Sequence, residues 1–139
     1  MKYPYTAQLR NIATGRYNKR PILTVELIGP QKQQKIDSLV DSGADCSLFH
    51  LSIAQYLGFD LSEGISGKTI GINNIPMNTV RIEDVPIKIE GSSDIIKIPI
   101  CFVDKLPVTG LLGQEGFFDQ NRIKFEKDHD TFEVNPIRK

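Results

Sequence analysis

The sequence predicts a mostly β fold, a small closed sheet structure with one or two short helices. Three observations lead there. Apolar and polar residues alternate over long stretches, β-branched residues dominate those stretches, and Gly, Pro, Asp and Ser fall between them. The chain has 139 residues, a length at which one domain with one core is expected. No repeat, low-complexity tract or linker divides it, so residues 1–139 are read as a single domain with its core over roughly 21–134.

The elements follow in order. "PILTVELIG" (Pro21–Gly29) is a β-branched run closed by Gly29-Pro30, and "QQKIDSLV" returns from it, which predicts a hairpin. Val85, Ile87 and Ile89 alternate with Pro86, Lys88 and Glu90. After the turn "GSSD", Ile96, Ile98, Ile100 and Phe102 alternate again, which predicts a second hairpin with one buried face. "KFEKDHDTFEV" (Lys124–Val134) fits a third pair with its turn near Lys127–Asp130. Helix is scarce. "LSIAQYLGF" places Ile53, Ala54 and Leu57 at helical spacing, with Ser52 as N-cap and Gly58 as the stop. Gln114–Asn121 suits one or two short turns.

Composition narrows the function. Hydrophobic residues make up 40% and charged residues 24%, as in a soluble globular protein. Lys+Arg and Asp+Glu are both 17, so the chain lacks the cationic excess that displaces counterions from nucleic acid. Arg16, Lys19 and Arg20 cluster, but without aromatic interleaving they read as a solvated loop. "MKYPYTAQLR" has no apolar h-region, and no run approaches the roughly 20 apolar residues that span a bilayer. A cytoplasmic protein without a membrane partner is the expectation. Cys46 and Cys101 read as free thiols. His50 and His129 show no ligand spacing with either cysteine, and the acids show none either, so neither metal nor cofactor is expected. His50 reads as a surface or helix-entry residue, and Asp84, Asp94 and Asp104 as solvated acids flanking turns.

Chemistry concentrates in three segments. "SLVDSGADCSLF" (Ser38–Phe49) ends an apolar strand on Asp41, sets Ser42 beside it, and turns tightly at Gly43. Asp-Ser-Gly alone is ordinary turn chemistry. "TIGINNIP" (Thr69–Pro76) is a Gly-containing stretch between extended segments, suited to a mobile hairpin. "VTGLLGQEGFF" (Val108–Phe118) puts two leucines and a glycine before a short helical segment. A lone carboxylate has a pKa near 4 and is ionised at neutral pH. Two carboxylates a few ångström apart share one proton and titrate as a unit. The ionised member then takes a proton from water while the neutral one donates to a carbonyl oxygen. No other Asp here is followed by Ser-Gly or Thr-Gly, and the chain is too short for two such lobes. Asp45 is aimed differently by the intervening turn and reads as a binding or structural acid. A C₂ dimer supplies the missing half, because the same turn meets its own copy across the axis.

"VDSGADCSLF" together with "GLLGQEGFF" resembles the retropepsin-like aspartic proteases, single-domain homodimeric enzymes of the retroviral type. Their pattern is apolar-apolar-Asp-Ser/Thr-Gly-Ala, later matched by apolar-apolar-Gly and a short helix, with the flap between. The likeness runs from about Pro21 to Val134. It implies a small closed β-barrel of the acid-protease type and an aspartic endopeptidase acting on peptide or protein substrates as a homodimer. Asp41 would be the catalytic aspartate, one per subunit. Ser42 would hydrogen-bond across the dimer axis, and Gly43 would let backbone approach the carboxylates and present a carbonyl to substrate. Ala44 and Asp45 would line the cleft near the substrate backbone. Leu111 and Leu112 would wall the pocket under Asp41, with Gly113 allowing close packing. Ile70, Gly71 and Ile72 would sit on the flap that closes over an extended peptide. Two departures stand out. Retroviral members often carry Arg where this chain has Gln114, followed by Glu115, and their flaps have a Gly-rich tip that "GINNIP" lacks. Both departures fit a second reading, a non-catalytic dimer of the same fold that binds peptides or partner proteins.

Overall fold

A computed structural model describes residues 1–11, 13–70 and 76–138. The first predicted hairpin illustrates how the pattern becomes structure. In β4 (Ile22–Ile28) Leu23, Val25 and Leu27 are buried and their neighbours half-buried, because the pleat sends alternate side chains to opposite faces. Its partner β5 (Gln33–Val40) runs antiparallel, from Ile22 opposite Leu39 to Ile28 opposite Gln33. Ile36, Ser38 and Val40 face inward from β5.

Further along, β6 (Ser47–His50) leads directly into helix α1 (Leu51–Leu57), and β7 (Ile65–Ile70) precedes β8 (Pro76–Ile89) and β9 (Ile95–Val103). β8 is longer than the sequence pattern predicts because it serves three partners. It pairs with β7 over Pro76–Arg81, with β9 over Thr79–Lys88, and with β4 over Ile87–Ile89. A register shift between Ile82 and Val85 divides it, and Asp84 there takes a positive φ of 52°. Such a bulge bends the strand. It leaves Val85, Ile87 and Ile89 on the buried face.

The main sheet has the order β4-β5-β10-β6-β9-β8-β7, where β10 is Gly110–Leu112, and β8 also pairs with β4, so the pairings run in a ring. Phe49, Phe102, Leu23, Leu27, Ile87, Ile98, Ile100 and Leu112 are buried completely or nearly so. Ala54 and Leu57 of α1 cap the same core. A smaller sheet, β1-β12-β11, joins Lys2–Pro4, Thr131–Pro136 and Asn121–Glu126. There the buried ring of Phe132 stacks on Tyr3 at 5.5 Å and meets Tyr5 edge-on at 5.9 Å. No helix among the described residues is long and apolar enough to cross a membrane.

The three predicted hairpins are present, and three expectations need correction. The N-cap of α1 is His50, not Ser52: His50 holds the extended φ/ψ of a cap, and its Nδ1 accepts the Ser52 N–H at 3.0 Å. The imidazole can accept there because its other nitrogen, Nε2, donates to the Asp104 carbonyl at 3.0 Å, which fixes the tautomer. Gly58 ends the helix as expected, with φ at 89°. Asp104 is not merely solvated, since its carboxylate accepts from the Asn78 backbone and side chain at 3.1 and 3.2 Å. Finally, Arg16–Arg20 is strand β3, not a loop, paired with β2 (Thr6–Asn11). Its partner strand supplies the order that "RYNKR" does not signal.

Core packing of this kind predicts that Phe102→Ala costs about 3–5 kcal/mol, because a fully buried ring leaves a cavity that neighbours fill only in part. Urea unfolding at neutral pH should show that loss, and Phe125→Ala, at a side chain 39% exposed, should lose far less.

Candidate active site

The site is built where β10 lies parallel to β5, Leu111 opposite Leu39 and Leu112 opposite Val40. Asp41 is the first residue beyond β5. Its N–H donates to the Leu112 carbonyl at 2.9 Å and so extends the ladder by one bond. The chain then turns back: the Ala44 N–H reaches the Asp41 carbonyl at 3.2 Å, and the Gly43 N–H reaches Asp41 Oδ1 at 2.9 Å. The carboxylate is therefore aimed by its own turn. A Cβ on Gly43 would stand 3.3 Å from that oxygen, so the carboxylate would have to give by a few tenths of an ångström.

Residues 113–115 clasp the outer limb of the turn. The Gln114 N–H donates to the Ala44 carbonyl and the Glu115 N–H to the Asp45 carbonyl, both at 2.8 Å, while Gln114 Nε2 donates to the Ser42 carbonyl at 2.7 Å. Gly113 fits because a Cβ there would lie 2.5 Å from the Cys46 carbonyl oxygen and 2.8 Å from that of Ala44. Its N–H donates to the buried Ser47 hydroxyl at 3.1 Å. Glu115 is in turn gripped by both terminal nitrogens of Arg81, one at 2.9 Å, and Arg81 Nε also meets Glu83 at 2.6 Å. The Arg81 hydrogen bonds hold the Glu115 carboxyl below the usual carboxylate range.

Asp41 opens onto a cavity of about 570 Å³. Its wall takes Gly43, Ala44, Asp45 and Cys46 from the turn, and Leu39, Leu48 and Leu111 from the flanking strands. Met77, Arg20 and Leu106–Val108 complete it. Apolar side chains around a few polar groups suit a ligand with apolar substituents on a polar backbone. Of the residues singled out from sequence, Asp41, Gly43, Ala44, Asp45 and Leu111 converge here. Ser42 is exposed on the turn. Leu112 is wholly buried in the core, not on the cavity wall. Ile70 ends β7 with its backbone opposite Pro76, and Gly71 and Ile72 lie outside the described residues.

Sequence reasoning missed several wall residues. Leu39 was legible in principle, since it alternates with the buried Ser38 and Val40 and must face the other way. Arg20, Met77 and Leu106–Val108 come from distant segments and carry no local signal. Gln114 stood out as a departure from the retroviral pattern, but its bond to Ser42 depends on how residues 113–115 pack.

The family model for aspartyl proteases matches residues 24–115, a span that contains both the Asp41 turn and its clasp, and the chain belongs to that family. Its fold is retropepsin-like. A retropepsin-like aspartic protease from Rickettsia conorii superposes with a TM-score of 0.60 at 18% identity, covering 95% of this chain and 97% of that one. The retroviral protease-like domain of Ddi1 from Leishmania major gives 0.57 at 15% identity, covering 84% and 94%. No curated protein sequence matches the chain.

The Arg81–Glu115 pair makes acid stability testable. Because the folded-state pKa of Glu115 lies below its ordinary value of 4.5, the pair contributes stability above about that pH. The contribution is lost as pH falls through the depressed folded value. Glu115→Gln should therefore flatten the stability–pH curve below about pH 4.5, as measured by urea midpoints across the acid range.

Proposed function

We propose that the chain is an aspartic endopeptidase that works as a homodimer, with the Asp41 carboxylates of two copies forming one catalytic pair. The observation that carries this reading is the Asp41 carboxylate itself. It is held by the Gly43 N–H beside an apolar-walled cavity, on a turn clasped from outside by Gln114 and Glu115. The pair shares one proton. The ionised carboxylate takes a proton from water as the water oxygen bonds to the peptide carbonyl carbon, and the neutral one gives its proton to the carbonyl oxygen. The resulting gem-diol breaks its C–N bond as the nitrogen takes a proton back, leaving a carboxylic acid and an amine.

In this reading Ser42 bonds across the dimer axis and sets the spacing of the two turns. Asp45 and the Gly43 carbonyl hold the substrate backbone, while Leu39, Leu48, Leu111 and Val108 take apolar side chains. The segment with Ile70, Gly71 and Ile72 serves as the cover over the bound peptide. We further read the ring of strand pairings as a closed barrel and the protein as cytoplasmic. The termini are already paired within one chain, β1 with β12, and the Met1 amino group donates to the Val134 carbonyl at 2.9 Å. A dimer contact at that end would use the outer edge of β1 or β11.

Asp41→Asn should abolish peptide cleavage while circular dichroism and sedimentation stay unchanged, and a pepstatin-type transition-state mimic should bind the unaltered protein. Turnover retained by Asp41→Asn would overturn the assignment. A well-formed dimer that cleaves nothing in peptide libraries from acidic to neutral pH would favour the peptide-binding alternative.

A further inference from the structure

Two thiols next to the proposed site are not used by the proposed cleavage chemistry. Cys101 lies on β9 opposite Leu48 of β6 and Arg81 of β8. Cys46 immediately precedes β6, two residues before Leu48, so period-2 alternation places it on the same face of the sheet. That face looks away from the core, since Ser47, Phe49, Ile100 and Phe102 occupy the buried one. Both cysteines are free and half-buried. The Cys46 thiol neighbours that of Cys101, and Arg81, opposite Cys101 in the β8–β9 ladder, holds the Glu115 carboxylate.

We propose that Cys46 and Cys101 form an oxidisable dithiol, a modification site that a hydroperoxide converts into an intramolecular disulfide. Cys101 is the attacking sulfur and Cys46 the resolving one. The Cys101 thiolate attacks the peroxide oxygen and the O–O bond breaks. The departing oxygen leaves as water or an alcohol after taking a proton, and Cys101 becomes a sulfenic acid. The Cys46 sulfur then attacks Cys101, the S–O bond breaks, and hydroxide departs with the Cys46 proton as water. Two electrons pass from the dithiol to the peroxide.

The division of roles follows from the neighbours. The neighbouring Cys46 thiol and the charge of Arg81, the residue opposite Cys101 in the β8–β9 ladder, lower the Cys101 pKa against its burial. The Cys101 neighbour, reinforced by burial, holds the Cys46 thiol above its ordinary range. An accessible low-pKa thiol touching a second thiol is the arrangement that oxidises selectively. Cys46 also lines the cavity and its carbonyl packs against Gly113, so the bridge would tie the far end of the Asp41 turn to β9. Any effect on cleavage rests on the proposed protease reading; the thiol chemistry does not.

Hydrogen peroxide applied to the full chain, followed by alkylation, intact-mass measurement and peptide mapping, tests this without reference to activity. The expected product has lost two hydrogens, carries a Cys46–Cys101 cross-link in a monomeric chain on non-reducing gels, and regains both alkylatable thiols with dithiothreitol. Cys46→Ser should accumulate a dimedone-trappable sulfenic acid on Cys101, and Cys101→Ser should leave Cys46 alkylatable at the same exposure. The proposal is overturned if both thiols of the unaltered chain survive a dose that oxidises free glutathione. Bridging only between copies, or oxidation of Cys101→Ser as fast as Cys46→Ser, would also overturn it.

Discussion

The pairing of β10 with β5 is the constraint on which the site depends. The two strands run parallel, so their ends leave the sheet side by side, and the turns that follow meet each other. One turn carries Asp41. The other, Gly113 to Glu115, bonds to three carbonyls of the first, those of Ser42, Ala44 and Asp45. The contact is possible because Gly113 has no Cβ; a methyl group there would overlap two carbonyl oxygens. Parallel pairing needs a crossover connection, and everything between residues 41 and 110 is that crossover. β6 to β9 and α1 thus have two tasks, to build the core and to return the chain to β5 in the right register.

Two side chains hold this clasp in place. Gln114 covers one carbonyl of the Asp41 turn, and Glu115 is anchored from a different strand by Arg81. The forked guanidinium matches a carboxylate with two parallel bonds. Arg81 stands opposite Cys101 in the β8–β9 ladder, so one cation faces both the Glu115 carboxylate and the thiol pair. The electrostatics beside the cavity are therefore coupled, although the groups come from residues far apart in the chain.

Legibility followed the range of the interactions. The β4–β5, β8–β9 and β11–β12 hairpins were readable because alternation and turn residues act between near neighbours. The stop of α1 at Gly58 was readable for the same reason. Its start was misassigned because the capping group is an imidazole whose tautomer is set by the Asp104 carbonyl, far along the chain. The β2–β3 hairpin was missed because "RYNKR" has neither alternation nor β-branched residues, and only its partner strand orders it. The family resemblance put Leu112 on the pocket wall beside Leu111, yet the pleat turns adjacent residues to opposite faces and places Leu112 in the core.

The sequence by itself determined that the chain is mostly β, that Asp41, Ser42 and Gly43 form a tight turn after an apolar strand, and that only one such turn exists. Those are properties of local patterning and of counting, and they need no coordinates. The tertiary structure decided which residues share the cavity with Asp41, that Gln114 and Arg81 support its turn, and that Cys46 meets Cys101. Each of these joins segments separated by tens of residues through β-ladder register, and a slip of one residue in any ladder would turn the side chains involved to the opposite face.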